Sequence, residues 1–202
     1  HIIGVTETFL MPTDAQSTVE IPNYNIYRKD TFNSLENPSM PTCRTSYTAH
    51  GGVAFYVHEQ FHATVIDKVL HMPVEALAII IQNRYTEERM CITITYKPPN
   101  QNLKSYLMKM DAIMKHLPHL NIPTVIMGDF NVNLLQQSDD QKTILQFFRH
   151  YGFQQIVSMP THNTGSLLDH IYCNFQIPTN IIPTNHATYF SQHSFIQIIF
   201  PQ

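Results

Sequence analysis

The 202-residue sequence predicts a β-rich α/β domain or a β-sandwich. Three observations predict it. Short apolar runs, bounded by Gly, Pro or Asn, recur along most of the chain and read as strands. Two segments repeat apolar residues at three- and four-residue steps, the spacing of one helix face. One run, Thr124-Val125-Ile126-Met127, is continuously apolar, as in a strand covered on both sides.

Taken in order, Ile2–Thr6 reads as a strand ending at Glu7, and residues 24–28 as a second short one. Residues 33–50 are polar and carry Pro38 and Pro41, so they read as a loop. Gly51-Gly52 introduces a strand at 53–57, followed by strands at 62–69, 76–81 and 90–96. Pro98-Pro99 stops the last of these. Leu103, Tyr106, Leu107, Met110, Ile113, Met114 and Leu117 then make one apolar helix face. After the buried strand at 124–127, a second helix begins near Ser138, where Ser138 and Gln141 have capping-box spacing. Ile144, Leu145, Phe148 and Tyr151 supply its buried stripe, and Gly152 stops it. Strands at 154–157, 168–173 and 195–200 alternate with Pro- and Asn-rich loops. No repeat or linker interrupts the chain, so it reads as one domain over residues 1–202.

Hydrophobic residues make up 43 %, which excludes a disordered chain. No apolar run approaches the roughly 20 residues that cross a bilayer, so no membrane association is expected. The start, His1-Ile2-Ile3-Gly4-Val5, lacks an initiator Met and a basic region; it is no signal peptide and reads as the middle of a longer chain. Cys43, Cys91 and Cys173 form no CxxC pair and read as incidental or buried thiols, which fits an intracellular location, nuclear or cytoplasmic. Twelve Lys and Arg against 15 Asp and Glu leave a net charge of −3. Phosphate contacts dominate nucleic-acid affinity, so composition alone argues against tight DNA binding.

Gly128-Asp129-Phe130-Asn131 directly follows the buried strand, and strand ends are where layered α/β folds handle ligands. If the chain stays extended, Asp129 and Asn131 point to the same side. A carboxylate there can orient a water, and an amide can hold a phosphoryl oxygen. The same tetrapeptide equally suits a plain turn. Glu7 at a strand end is either a hard-metal ligand or an exposed side chain. Asp169, inside an otherwise apolar strand, needs a partner. His170 lies on the opposite strand face, whereas His193, just before the last strand, can form a carboxylate–imidazole pair with it. With 12 His in the chain, any one of them can equally be satisfied by backbone. Tyr96 ends a strand and can contact a phosphate or simply pack. Arg28 and Lys29 can bind phosphate backbone or remain solvated surface charges.

In this order, the pieces resemble the endonuclease/exonuclease/phosphatase superfamily. They are most similar to the apurinic-endonuclease-like domain that precedes the reverse transcriptase in non-LTR retrotransposons. The matching segments are residues 4–10, 24–30 and 51–57, Tyr96-Lys97-Pro98-Pro99, Gly128 through Asn131, Pro160-Thr161, Leu168-Asp169-His170-Ile171 and Ser191-Gln192-His193-Ser194. The ordered set, rather than any single motif, is specific. Inositol-phosphate phosphatases are less similar, because they place a Trp near the Asp169 segment and this chain has none.

The resemblance implies a four-layered α/β sandwich, with two mixed sheets face to face, helices outside and a site at one rim. It implies Mg²⁺ or Mn²⁺ held by Glu7, and Asp129 orienting the attacking water. Asn131 would stabilise the phosphate, Tyr96 would contact it or the leaving oxygen, and Asp169 with His193 would support the transition state. DNA is the implied substrate, with a reverse-transcriptase domain on the same polypeptide. Two departures accompany it. The family has Asp before its final His, where this chain has Gln192; Gln keeps an acceptor but loses the charge, so it would be a weaker metal ligand. The family's first strand, with its metal-binding Asn, is also missing, so N-terminal truncation is expected. Two alternatives follow: a catalytically weak relic serving as a binding module, or hydrolysis of a small or lipid phosphoester.

Overall fold

The computed structural model describes residues 1–30, 51–178 and 182–199. The loop expected at 33–50 and Cys43 lie outside the described residues.

β1 (Ile2–Thr6), β2 (Tyr24–Lys29) and β3 (Val53–His58) form a three-stranded antiparallel sheet with β3 in the centre. β4 (Phe61–Val65), β5 (Ala76–Asn83), β6 (Arg89–Tyr96), β7 (Thr124–Asp129), β8 (Gln154–Gln155) and β9 (Asp169–Cys173) build a six-stranded mixed sheet in the order β4-β5-β6-β7-β9-β8. Only β6 and β7 run parallel, because α2 (Leu103–Met114) carries the chain between them. Such a crossover is what a parallel pair requires.

Strand alternation decides how the layers stack. Val53, Phe55 and Val57 of β3 meet Leu77, Ile79, Ile81, Ile92 and Ile94 of β5 and β6, and this apolar contact joins the two sheets face to face. The opposite faces of β5, β6, β7 and β9, with Ala76, Ala78, Cys91, Ile126 and Tyr172, pack on α2 and on α3 (Asp139–His150). Each fully buried Phe or Ile in these layers contributes about 1.5–3 kcal/mol. The result is an α/β sandwich with helices outside the larger sheet. Between residues 10 and 20, including a 3₁₀ turn at Gln16–Thr18, the chain lies against the three-stranded sheet. There Tyr56 Oη donates to Val19 O at 2.8 Å.

Both long helices start where their caps predict. Asn102 Oδ1 accepts from Ser105 N, and Ser138 Oγ from Gln141 N. The Gln141 side chain does not reach back to the cap; it donates to Leu134 O. Asp139 and Asp140 in the first turn of α3, with Arg149 and His150 in its last, complement the helix dipole. Gly152, at φ +79°, lets the chain turn out of the helix.

Three expected strands differ. The run at 62–69 stops at Val65, and Asp67–Leu70 forms a helical turn, α1, that buries Val69 while Asp67 and Lys68 stay exposed. Of residues 154–157, only the first two pair as strand β8. The last strand, β11 (Phe195–Gln197), pairs with an unforeseen β10 (Thr184–His186) in a separate hairpin; β10 is polar and exposed, while Ile196 of β11 packs against the core beside Val157 and Ile171. Cys91 and Cys173 are buried, and burial pushes both thiols up to about 12, so they are inert. Among the described residues, no helix is long and apolar enough to cross a membrane.

Candidate active site

The site begins with strand register. Tyr96, Asp129 and Asp169 end β6, end β7 and start β9, and they are paired in one row across three neighbouring strands. All three share strand faces with residues turned toward the smaller sheet or its continuation, such as Ile94, Met127 and Ile171. His170, one residue on, points the other way. It is fully buried, stacked on Phe130 at 4.8 Å, and burial lowers its imidazole to about 4. His170 is thus a neutral core residue.

The β6–β7 pairing is unusually tight at Gly128. A Cβ there would lie 1.8 Å from Thr95 O, and φ is +147°, so only glycine fits. Immediately after it the chain leaves the extended conformation, with Asn131 at φ +48°. The tetrapeptide is therefore both turn and site. Asn131 N donates to Asp129 Oδ1 at 2.9 Å, while Asn131 Nδ2 donates to Asp129 Oδ2 and to Lys97 O, each at 3.0 Å. Both amide hydrogens are engaged, so the expected donation from Asn131 to a phosphoryl oxygen is replaced by a different role: it orients Asp129. Burial pushes Asp129 up to about 7, helped by the charges of Asp169 and Glu7, although the Asn131 N–H and His193 oppose the rise.

His193 Nδ1 lies 2.8 Å from Asp169 Oδ2, the expected carboxylate–imidazole pair. Its pKa is raised, first by this hydrogen bond and further by the charges of Asp169, Asp129 and Glu7. Thr161, fully buried, positions Asp169: its Oγ1 accepts from Leu168 N and Asp169 N, each at 3.0 Å. Ser194 N in turn donates to Thr161 O at 2.7 Å, which anchors the segment bearing His193.

Glu7 follows β1 in the opposite sheet, at φ +52°. Its Oε1 accepts from Tyr96 Oη at 2.7 Å, a bond that spans the two sheets. Burial and the bonded Glu7 raise the phenol further. Glu75 Oε2 accepts from Gly52 N at 2.8 Å, and Gly51 O and Gly52 O hold Phe9 N and Thr8 N. Glu75 O also receives Tyr96 N, so one residue braces both sides of the Glu7–Tyr96 bond. Sequence reasoning gave no role to Glu75 or His162. Thr161 was named only as part of the matching Pro160-Thr161 segment, without its role of holding Asp169.

Ligand atoms of Asp129, Asp169 and His193 lie within 4.8 Å of one another. Two carboxylates and an imidazole, with Glu7 adding charge, are a donor set that suits a divalent cation. The upward shift of Asp129 comes first from burial and then from the charge of Asp169, and a cation in the cluster would offset both.

Three expected ligands are placed elsewhere. Lys29 is buried, and its ammonium donates to Met72 O at 2.7 Å and Val69 O at 3.4 Å. Burial lowers it to about 8. It is a core cation and offers no charge to a phosphate backbone. Arg28 Nη2 donates to Asp14 O at 2.8 Å and Nε lies 3.4 Å from Asp30, while Nη1 is buried without a hydrogen-bond partner among the described residues, so the guanidinium is turned into the protein. Gln192 Oε1 lies 3.2 Å from His162 Nε2, which takes up the acceptor expected to serve a metal.

The profile of the Endonuclease/Exonuclease/phosphatase family matches residues 1–193. The chain belongs to the endonuclease/exonuclease/phosphatase family. Its members are generally hydrolases that use divalent metals. Similar folds occur in the endonuclease domain of TRAS1, a telomere-specific non-LTR retrotransposon, at TM-score 0.65 and 12 % identity over 87 % of this chain and 77 % of that one. The AP endonuclease LMAP from Leishmania major also gives 0.65 and 12 %, over 98 % and 77 %. A mannosyl-6-phosphatase from Bacteroides thetaiotaomicron gives 0.59 and 13 %, over 98 % and 85 %. At these identities the likeness establishes the endonuclease/exonuclease/phosphatase fold alone. No curated protein sequence matches the chain.

Proposed function

We propose that this chain is a Mg²⁺- or Mn²⁺-dependent phosphodiesterase, the DNA-nicking domain of a retrotransposon-derived protein. The observation that carries the phosphoester reading is the row Tyr96, Asp129, Asp169 across three strands, with His193 hydrogen-bonded to Asp169. Asp129, at about 7 and held by Asn131, is poised to accept a proton from an attacking water near neutral pH. His193, whose charged form is favoured by its hydrogen bond to Asp169, would offer positive charge and an N–H to the phosphoryl oxygens as charge builds on them. Tyr96 Oη, fixed by Glu7, stands on the same row as a donor for the phosphate or the leaving oxygen. Glu7, with waters and the substrate phosphate, would hold the metal, which supplies Lewis-acid neutralisation of developing charge when bound.

DNA as substrate is supported by the ordered segments shared with retrotransposon endonuclease domains and by the fold likeness to the TRAS1 domain. A reverse-transcriptase domain on the same polypeptide belongs to this reading. The test is nicking of supercoiled plasmid with Mg²⁺ or Mn²⁺, comparing the chain with Asp129→Ala and His193→Ala. Nicking that these variants retain would sink the proposal.

A second reading is a weak or inactive relic acting as a binding module. It is favoured by Gln192, whose acceptor is occupied by His162. Plasmid binding without nicking by the unaltered chain, at saturating Mn²⁺, would select it. Hydrolysis of a small phosphoester in preference to plasmid would instead point to a phosphatase on the same scaffold.

A further inference from the structure

We infer that Gln192, held by His162, is a phosphate-binding residue: its amide N–H donates to a non-bridging oxygen of the scissile phosphoester. This rests on the phosphoester reading above.

The hydrogen bonds of His162 fix its tautomer. A backbone N–H can only donate, and Thr164 N donates to His162 Nδ1 at 3.3 Å. Nδ1 also lies 2.8 Å from Thr164 Oγ1, which in turn lies 3.2 Å from Ser166 Oγ. Nδ1 carries the lone pair, so the proton of the neutral ring sits on Nε2. At 3.2 Å from that nitrogen is Gln192 Oε1, the only side-chain amide atom that can accept. The reversed amide would need both ring nitrogens to be acceptors, which no imidazole provides. Gln192 consequently presents its NH₂ group, with two hydrogens that have no partner among the described residues.

The backbone places the residue that bears that group. His162 and His193 form an antiparallel bridge, and their rings are 4.9 Å apart. Asn163 N donates to Gln192 O at 2.9 Å, so the turn bearing His162 is tied to the segment bearing His193. Gln192 is exposed. Gln192 immediately precedes His193, and its side chain lies against His162, whose ring is 4.9 Å from that of His193; a neutral donor there would not repel a phosphoryl oxygen as a carboxylate would. The exchange of Asp for Gln trades attraction for a cation against attraction for the phosphate itself.

The experiment uses the whole 202-residue chain in EDTA, with inorganic phosphate as the probe. Nitrogen-15 spectra should show His162 as the Nε2–H tautomer, and phosphate should move the Gln192 side-chain NH₂ signals. Gln192→Glu should weaken phosphate binding about tenfold, the size of one lost hydrogen bond plus repulsion, and His162→Ala should weaken it by a smaller factor. Equal phosphate affinity in Gln192→Glu, unmoved NH₂ signals, or an Nδ1–H tautomer at His162 would each overturn the inference. If Asp129→Ala still hydrolyses phosphodiesters, the phosphoester reading of the site fails instead, so the two failures are separable.

Discussion

Asp129→Asn should make the stability of this protein less dependent on pH. Between its ordinary value of 3.8 and about 7, the folded protein holds a proton on Asp129 that the unfolded chain has lost. Stability therefore falls as pH rises through that interval and is flat above it. At about 1.4 kcal/mol per pH unit, up to about 4 kcal/mol has been lost by pH 8. Asn cannot ionise and so avoids this loss. It does forfeit one acceptor for Asn131, which costs about 1–2 kcal/mol at every pH. The variant should thus be close to the wild type at pH 5 and more stable by about 2–3 kcal/mol at pH 8. His193 acts in the same direction. Its raised pKa gives stability that is full below 6.5 and is lost as pH climbs through the raised value, and removing the Asp129 charge shrinks that term as well. Urea unfolding in EDTA from pH 5 to 8.5 measures the difference. Parallel stability profiles for the two proteins would refute the reasoning, because they would mean that Asp129 ionises as freely in the fold as in the unfolded chain.

Gly128→Ala should destabilise by about 3 kcal/mol or more, since its Cβ would strike Thr95 O in the tightest part of the β6–β7 pairing; an unchanged melting temperature would contradict this. Asp169→Asn should lower the pKa of His193, read by NMR titration of the imidazole, because the first cause of its elevation is the Asp169 hydrogen bond. Thr161→Val should cost about 1–3 kcal/mol for each of the two backbone N–H groups it strands, with Thr161→Ser restoring most of the loss in denaturant unfolding. Lys29→Met should destabilise by about 1–3 kcal/mol through the unpaired carbonyls of Met72 and Val69. It should leave the salt dependence of DNA binding unaltered, and a reduced slope in a binding titration would restore Lys29 as a phosphate contact.

Local features were legible because they depend on neighbours in the chain. The caps at Ser138 and Gly152, the apolar face from Leu103 to Met114 and the run into Gly128 are all written within one or two turns of chain. Alternation also separated Asp169 from His170, since adjacent strand residues must face opposite ways. Where charge and burial compete, the local pattern misled. Lys29 has the composition of a surface residue, yet it lies beneath α1 because carbonyls from a turn some 40 residues away satisfy it. Residues 66–70 have strand-like composition, but the fold needed a turn there to bury Val69.

By itself, then, the sequence determined the elements, their order and the residue types at their ends. Period and capping are properties of short stretches of backbone, so these need no knowledge of the rest of the chain. Only the tertiary structure decided which ends meet. The register that aligns Tyr96 with Asp129 and Asp169, the Glu7–Tyr96 bond between sheets, and the commitment of Gln192 to His162 each join residues far apart in sequence. Hydrogen-bond partners across such separations are chosen by how the sheets stack, and no local pattern encodes that choice.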